Sequence, residues 1–249
     1  MNPAFLVFAN VVLLMRLFVL FKDDAIAGRP WAGKTAAELA ALGLLFAYSP
    51  GWLGAASAVV ALNLISWRWE IRARRRNVGR LLLGAAELAV LSVFFTPGFG
   101  LIVRPELGHA GQLLTGLTTL APLVRVAGGH RLQLELFGLL LAANEANLVV
   151  RAVFDLLDLK PRSLPSGQGV IDVGEFNRGR VIGLLERVLL YLFILQGQFG
   201  AIGFVLAAKA FTRFKALDDR PFAEYVLIGT LLSACLALAA GGLVQALQR

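Results

Sequence analysis

Residues suited to covalent or metal chemistry are almost absent from this chain. Its 249 residues include one cysteine, Cys235, and two histidines, His109 and His130. A single cysteine excludes an intrachain disulfide and a cysteine-based metal site, and two isolated histidines are typical of surface positions. The sequence has no HExxH, Gly-x-Ser-x-Gly or aspartate-rich prenyltransferase motif. We therefore predict no metal site and no cofactor.

Charged residues are also scarce, and this scarcity decides the class of protein. They make up 16% of the chain, whereas hydrophobic residues make up 58%. A soluble domain has roughly 25% charged residues, so much of this chain is expected to contact lipid. At ~20 residues per crossing there is room for roughly six to nine membrane spans. Long runs rich in Leu, Ala and Gly favour helices over a β-barrel.

Positive charge is concentrated between the apolar runs. The chain has 24 Lys and Arg against 16 Asp and Glu, and the stretch Arg68–Arg80 contains six arginines and one acid, Glu70. The positive-inside rule places this stretch in the cytoplasm, where it would contact anionic lipid headgroups. Membrane orientation accounts for the net charge of +8, so we predict no nucleic-acid partner.

The N-terminal third contains three apolar segments. Arg16 interrupts the first, and its long side chain is expected to reach the headgroups rather than serve a buried function. A polar link, Lys22–Lys34, leads to residues 35–48 and 52–67, which the turn signal Ser49–Gly51 separates. We predict a hairpin of two short helices here, with one long kinked helix as the alternative.

The sidedness of the two basic loops is inconsistent with a topology in which every apolar segment spans the membrane. The basic loops Arg68–Arg80 and Lys160–Arg180 both require the cytoplasmic side, so an even number of spans must separate them. Three apolar segments lie there: 81–96, 110–127 and 132–157. Either 110–127 is interfacial or 132–157 is re-entrant and lines a cavity. We predict one integral membrane domain over residues 1–249, all-α and polytopic, with roughly seven or eight membrane helices.

Polar residues within the later apolar segments indicate a polar interior. Asn147, Arg151 and Asp155 are four residues apart and so share one helical face. Ionisable residues inside a bilayer are costly and mark functional sites or ion pairs. The candidate binding or pathway residues are Asn144, Asn147, Arg151, Asp155, Glu186, Arg187, Lys209, Arg213 and Glu224.

Most of these candidates fall in the stretch Gly179–Leu238. We expect Glu186 to form an ion pair with Lys209 or Arg213, because unpaired charges are costly in lipid. Glu224 has the position of an acid in the first turn of a helix, where the helix dipole favours it. The glycines of GQFGAIGF predict either close helix packing or a tight bend between two helices.

Three parts of this stretch resemble one family. They are GRVIGLLER (Gly179–Arg187), GQFGAIGFVLAAKAFTRF (Gly197–Phe214) and FAEYVLIGTLLSACLAL (Phe222–Leu238), in the order found in the C-terminal part of a family of bacterial multi-pass membrane proteins of unknown function. The resemblance implies residence in the bacterial inner membrane and implies no catalytic residue. It also implies that the family pattern includes Glu186, Arg187, Gln198, Lys209, Arg213, Glu224 and Tyr225.

These patterns favour a small transporter or channel, alone or in a homo- or hetero-oligomer. On that hypothesis, Glu186 and Lys209 should face a water-filled cavity. The first alternative is a membrane-embedded enzyme or binding protein for a lipid or polyprenyl headgroup, in which Asn147, Arg151 and Asp155 would converge with Glu186. The second is a non-catalytic membrane scaffold subunit, which predicts paired charges and an exposed apolar face.

Overall fold

The computed structural model describes residues 2–73, 75–99, 101, 103–104, 129–157, 173–212 and 220–249. Apart from an isolated bridge between Phe46 and Val103, every regular element in these ranges is helical, which confirms the all-α prediction. A 3₁₀ turn (Arg16–Val19) follows the first helix, and a π-helical turn (Leu141–Glu145) separates the fifth from the sixth. The helices are α1 (Pro3–Met15), α2 (Gly28–Leu45), α3 (Pro50–Arg72), α4 (Arg76–Phe94), α5 (His130–Leu140), α6 (Ala146–Leu156), α7 (Val173–Leu195), α8 (Phe199–Thr212) and α9 (Arg220–Gln248).

Four helices are long and apolar enough to cross a bilayer. They are α3, α4, the helix His130–Leu156 that contains the π-turn, and residues Ala223–Gln248 of α9. Within the described residues, two of these candidate spans, α4 and His130–Leu156, lie between the two basic stretches. The apolar segment 110–127 is outside the described residues, and the predicted total of seven or eight spans is not reached within the described part of the chain.

The chain divides into two compact units, Met1–Leu140 and Leu141–Arg249. In the first, the predicted hairpin consists of two separate helices, α2 and α3, and both are longer than expected. Ser49 accepts a hydrogen bond of 3.1 Å from the Trp52 backbone N–H, and Pro50 occupies the first helical position. Both are standard features of a helix start. The turn signal at Ser49 is therefore confirmed as the boundary between α2 and α3.

The apolar core of the first unit joins α1, α2, α3 and α4. Phe95 packs its ring against Phe8 and Phe46, with centroid distances of 5.8 and 5.3 Å. Asn10 ties α1 to α5 through hydrogen bonds of 2.9 and 2.8 Å to the backbone and side chain of Gln133. The buried members of this core are Phe8, Val12, Leu42, Phe46, Ala55, Val59, Leu91 and Phe95.

In the second unit, α7 turns sharply into α8 and also packs against α9. Gly197 has a φ of +68°, the left-handed conformation that glycine adopts without strain, and it forms the turn between α7 and α8. Of the two expectations for the GQFGAIGF glycines, the tight bend is therefore correct at Gly197. Where α7 meets α9, Gly241 leaves room for Ile194: an added Cβ would lie 2.7 Å from its Cγ2.

Candidate functional site

Four buried polar residues of the first unit meet at one point. Lys34 and Glu38 of α2, Asn63 of α3 and Glu87 of α4 are each at most 2% exposed. Lys34 Nζ lies 2.6 Å from Glu38 Oε1 and 2.5 Å from Glu87 Oε1, and it donates a hydrogen bond of 2.7 Å to Asn63 Oδ1. Asn63 Nδ2 donates to Glu38 Oε2 at 2.7 Å. These four residues are called the Lys34 cluster below.

Helical periodicity brings these residues to the core. Lys34 and Glu38 are one turn apart on α2 and therefore share a face. Asn63 and Glu87 lie on the buried faces of α3 and α4, and Glu87 is one turn before the core residue Leu91. The three donors of the Lys34 ammonium thus face oxygens of all three helices. The cluster holds two carboxylates against one ammonium.

The segment around Lys34 matches the spacing of a phosphate-binding loop, although from the sequence we expected no such motif. Residues Gly28–Thr35 read GRPWAGKT, which has the G-x₄-G-K-T spacing of a phosphate-binding loop. In the structure these residues form the start of α2, and Lys34 Nζ contacts Glu38 and Glu87. A phosphate-binding loop needs free backbone N–H groups after a strand and a lysine that reaches the phosphates. Here Lys34 contacts carboxylates, and the described residues that precede α2 form no strand.

A second polar cluster, formed by Arg80 and Glu70, binds the loop between α1 and α2. Arg80, 3% exposed, forms a two-point ion pair with Glu70, including a hydrogen bond of 3.0 Å from Nε to Oε2. It also donates to the backbone carbonyls of Lys22 and Asp24, the latter at 2.9 Å. Glu70 accepts from the Ile26 N–H at 3.3 Å. Arg80 is therefore buried in the protein, whereas the sequence grouped it with arginines that contact headgroups.

Arg16 corrects another prediction. It is 3% exposed and donates a hydrogen bond of 2.9 Å to the backbone carbonyl of Arg80, so it does not extend to the headgroups. Gly84 on α4 makes room for it: a Cβ at this position would lie 2.2 Å from Arg16 Nη2. The predicted polar link Lys22–Lys34 is likewise corrected, because α2 begins at Gly28 and Lys34 is buried.

In the second unit, Arg187 connects three helical elements. Its exposed fraction is 4%. Nε donates to the Ala142 carbonyl in the π-turn at 3.2 Å, Nη2 to Asn147 Oδ1 on α6 at 3.0 Å, and Nη1 to Ser233 Oγ on α9 at 3.3 Å. All three acceptors are uncharged. Arg187 thus joins the stretch Gly179–Leu238 to the apolar segment 132–157 through Asn147.

The neighbouring residue, Glu186, forms the expected ion pair with Lys209 of α8. The two side chains are 17% and 15% exposed, so this pair is less buried than the Lys34 cluster. The enzyme hypothesis required Glu186 to converge with Asn147, but the residue that contacts Asn147 is Arg187.

The other predicted residues are spread over the second unit. Asn144 is buried in the π-turn and donates to Glu145 Oε1 at 2.9 Å. Arg151 is half-buried, and Asp155 and Glu224 are exposed. Arg213 lies outside the described residues.

The sequence prediction missed the Lys34 cluster, although a signal for it was present. Asn63 and Glu87 are isolated polar residues within long apolar helices, and each such residue needs a partner in lipid. The Lys34–Glu38 pair has the i,i+4 spacing of residues on one helical face. Hydropathy alone cannot identify it, because it lies next to a polar loop.

Comparisons with known proteins add no family. A scan against protein-family models finds no match, and neither the curated proteins nor the solved structures include a similar one. The resemblance of Gly179–Leu238 to a membrane-protein family therefore stays a prediction. No group of three or more His, Cys, Asp or Glu residues able to hold a metal ion occurs within the described ranges.

Proposed function

We propose that this protein is a proton-coupled transporter and that the Lys34 cluster is its proton-binding site. The supporting observation is the contact of one buried ammonium, Lys34, with two buried carboxylates, Glu38 and Glu87. With all three groups ionised the cluster has a net charge of −1, in contact with two candidate membrane spans, α3 and α4. A buried charge without a counter-charge is costly, and uptake of one proton by the carboxylate pair removes it.

The geometry supports movement of that proton. Lys34 Nζ is within ion-pair distance of both carboxylates, so it can compensate either one while the other is protonated. The carboxylates belong to different helices, Glu38 to α2 and Glu87 to α4. A shift between these helices would change which carboxylate Lys34 compensates, and proton release would follow. Carboxylates inside membrane helices form relays of this kind in pumps and transporters.

We assign the transporter to the bacterial inner membrane on the basis of the family resemblance and the arginine-rich turn between α3 and α4. Arg68, Arg72 and Arg75 are exposed in this turn or beside it. They are suited to contact anionic headgroups on the cytoplasmic side.

A non-catalytic scaffold subunit is the second candidate. The ion pair between Glu186 and Lys209 favours it, because a scaffold needs its charges paired. Phe204 and Phe211 on α8 are 75% and 81% exposed and would offer an apolar face to a partner subunit. An enzyme acting on lipid or polyprenyl headgroups has less support, since Glu186 forms its ion pair with Lys209.

The proton site can be tested by infrared spectroscopy on the purified full chain in lipid. A pH titration of the wild type should show the C=O stretch of a protonated carboxyl group that is absent from Glu38→Gln and Glu87→Gln. Glu186→Gln is the control, because its carboxylate has its own lysine, and it should keep the band. A spectrum with no titrating carboxyl band, or with one that survives both cluster variants, would contradict the proton site.

Translocation needs a separate measurement. Vesicles containing the protein and a pH-sensitive dye should lose an imposed pH gradient faster than protein-free vesicles. Glu38→Gln and Glu87→Gln should lower this rate to the protein-free value, whereas Glu186→Gln should not. If the infrared band is present but the gradient decays equally in all vesicles, the cluster binds a proton without transporting it, and the scaffold becomes the better candidate.

A further inference from the structure

Arg187 differs from two other buried cations, Lys34 and Arg80, in the chemistry of its partners. Lys34 lies against two carboxylates, and Arg80 lies against one. Arg187 is equally buried, yet its acceptors are a backbone carbonyl, an amide and a hydroxyl. Its charge is therefore hydrogen-bonded but not neutralised by a carboxylate within the described part of the chain.

The adjacent acid does not fill this role. Glu186 precedes Arg187 in α7, but its carboxylate pairs with Lys209, so these two residues neutralise each other. Placing a cation in the protein interior without an anion is costly. The Arg187 guanidinium thus makes no ion pair of its own among the described residues, and an incoming anion would neutralise its charge.

Arg187 also has donors left for an anion. A guanidinium carries five N–H groups, and three of them have acceptors here: Ala142, Asn147 and Ser233. Two N–H groups therefore remain. Two is the number that a carboxylate or phosphate accepts in a bidentate contact with arginine.

The π-turn adds a second, independent observation. Residues Leu141–Glu145 interrupt an otherwise α-helical segment, and such turns are frequent at functional sites. The turn supplies the Ala142 carbonyl to Arg187. It also contains Asn144, whose Oδ1 is buried and has no hydrogen-bond partner among the described residues. A buried acceptor of this kind can accept a hydrogen bond from the O–H of a hydrogen phosphate, whose charged oxygens accept from the guanidinium.

From these observations we infer that Arg187 is the anchor of an oxyanion-binding site in the second unit. The ligand is a carboxylate or phosphate, carried either by a small solute or by an anionic lipid headgroup. If the ligand is a solute, it is the substrate class of the transporter proposed above, and in that respect the inference rests on the proposed function. Binding itself does not require proton transport, because the Lys34 cluster belongs to the other unit.

The solute arm of the test uses the full chain in nanodiscs of phosphatidylcholine. Because all four tryptophans lie in the first unit, thermal unfolding is followed by differential scanning calorimetry, in sodium phosphate, in sodium succinate and in sodium chloride of equal ionic strength. A ligand at saturating concentration should raise Tm by about 5 °C over chloride. The lipid arm uses native mass spectrometry to count phosphatidylglycerol molecules retained from mixed membranes. A response in either arm identifies the source of the anion.

Four variants make the result specific. Arg187→Met should abolish the response, and Arg187→Lys should weaken it because lysine lacks the two-point fork. Ser233→Ala removes one neutral acceptor but keeps the guanidinium, so the response should persist. Arg80→Lys is the control, since that charge is already neutralised by Glu70.

Two outcomes would overturn the inference. One is the absence of any response of the wild type in both arms. The other is an equal response in Arg187→Met and the wild type, which would place the anion on exposed basic residues. If Arg187→Met does not fold, Arg187→Lys and Ser233→Ala decide: a site at Arg187 requires the first to weaken binding and the second to keep it. Because binding is read without a proton gradient, failure here is separate from failure of the proton-flux measurement.

Discussion

Lys34 and Glu87 are 53 residues apart in the sequence, and a hydrogen bond of 2.5 Å joins them in the protein interior. The bond connects α2 to α4 within the Lys34 cluster. Neither side chain can exchange this contact for hydrogen bonds to water, since both residues are 2% exposed. The stability of the first unit should therefore depend on the balance of charge at this point.

Removal of the cation should be strongly destabilising. Lys34→Met leaves Glu38 and Glu87 buried without their counter-charge, and we expect a loss of about 3–5 kcal/mol in unfolding free energy. Thermal unfolding in detergent would measure it. Lys209→Met is the matched control, because its ion pair is partly exposed and should be worth about 1 kcal/mol or less. Equal losses in the two variants would show that the Lys34 cluster has no special role.

The contacts of Arg80 and Glu70 should stabilise the loop between α1 and α2. In Glu70→Ala the guanidinium loses its carboxylate, and the Ile26 N–H loses its acceptor. We expect a loss of about 3 kcal/mol in unfolding free energy and faster proteolysis after Lys22. Limited trypsin digestion followed by mass spectrometry would detect the cut. If Glu70→Ala is cleaved after Lys22 at the wild-type rate, these contacts do not stabilise the loop.

Space for the Arg16 side chain depends on a glycine. Gly84→Ala would place a Cβ 2.2 Å from Arg16 Nη2, which is itself hydrogen-bonded and buried. Overpacking of this kind costs about 1–3 kcal/mol. Gly33→Ala, with nothing within 4 Å of the new Cβ, is the control and should stabilise α2 by up to about 1 kcal/mol. Thermal unfolding of the two variants should shift in opposite directions.

The bend between α7 and α8 depends on a positive φ. Gly197→Ala forces an alanine into the left-handed conformation, at a cost of about 1–2 kcal/mol. Gly200→Ala is the comparison, because Gly200 has no positive φ and an added Cβ meets nothing within 4 Å. In thermal unfolding, Gly197→Ala should unfold at a lower temperature than Gly200→Ala. If both variants unfold at the wild-type temperature, the bend does not require glycine.

The ion pair of the second unit could be predicted from the sequence because its two residues lie in adjacent segments of the chain. Glu186 and Lys209 stand in two apolar segments joined by a short turn, so their ion pair follows from the hairpin. The start of α3 is equally local, since Ser49 and Pro50 suit the first positions of a helix. In both cases the residues that decide the structure are close together in the chain.

The first unit was harder because its decisive contacts join distant residues. Arg16 looks like a residue that reaches the headgroups until Gly84, on another helix, is seen to make room for it. Lys34 looks like the end of a polar loop until Asn63 and Glu87 are placed beside it. Hydropathy measures one residue and its neighbours, whereas burial of a charge depends on partners that only the fold supplies.

The distance between Lys34 and Glu87 along the chain also sets an order for membrane insertion. At about 5–20 residues per second, the ribosome adds Glu87 roughly 3 to 10 seconds after Lys34. During that interval Lys34 has Glu38 but lacks Glu87, the second of its two carboxylate partners, so its ion pairs are incomplete until α4 is synthesised. We therefore expect nascent-chain force measurements to show a pull when α4 leaves the ribosome, and Lys34→Met to weaken it, because Glu87 then enters the protein interior without its counter-charge.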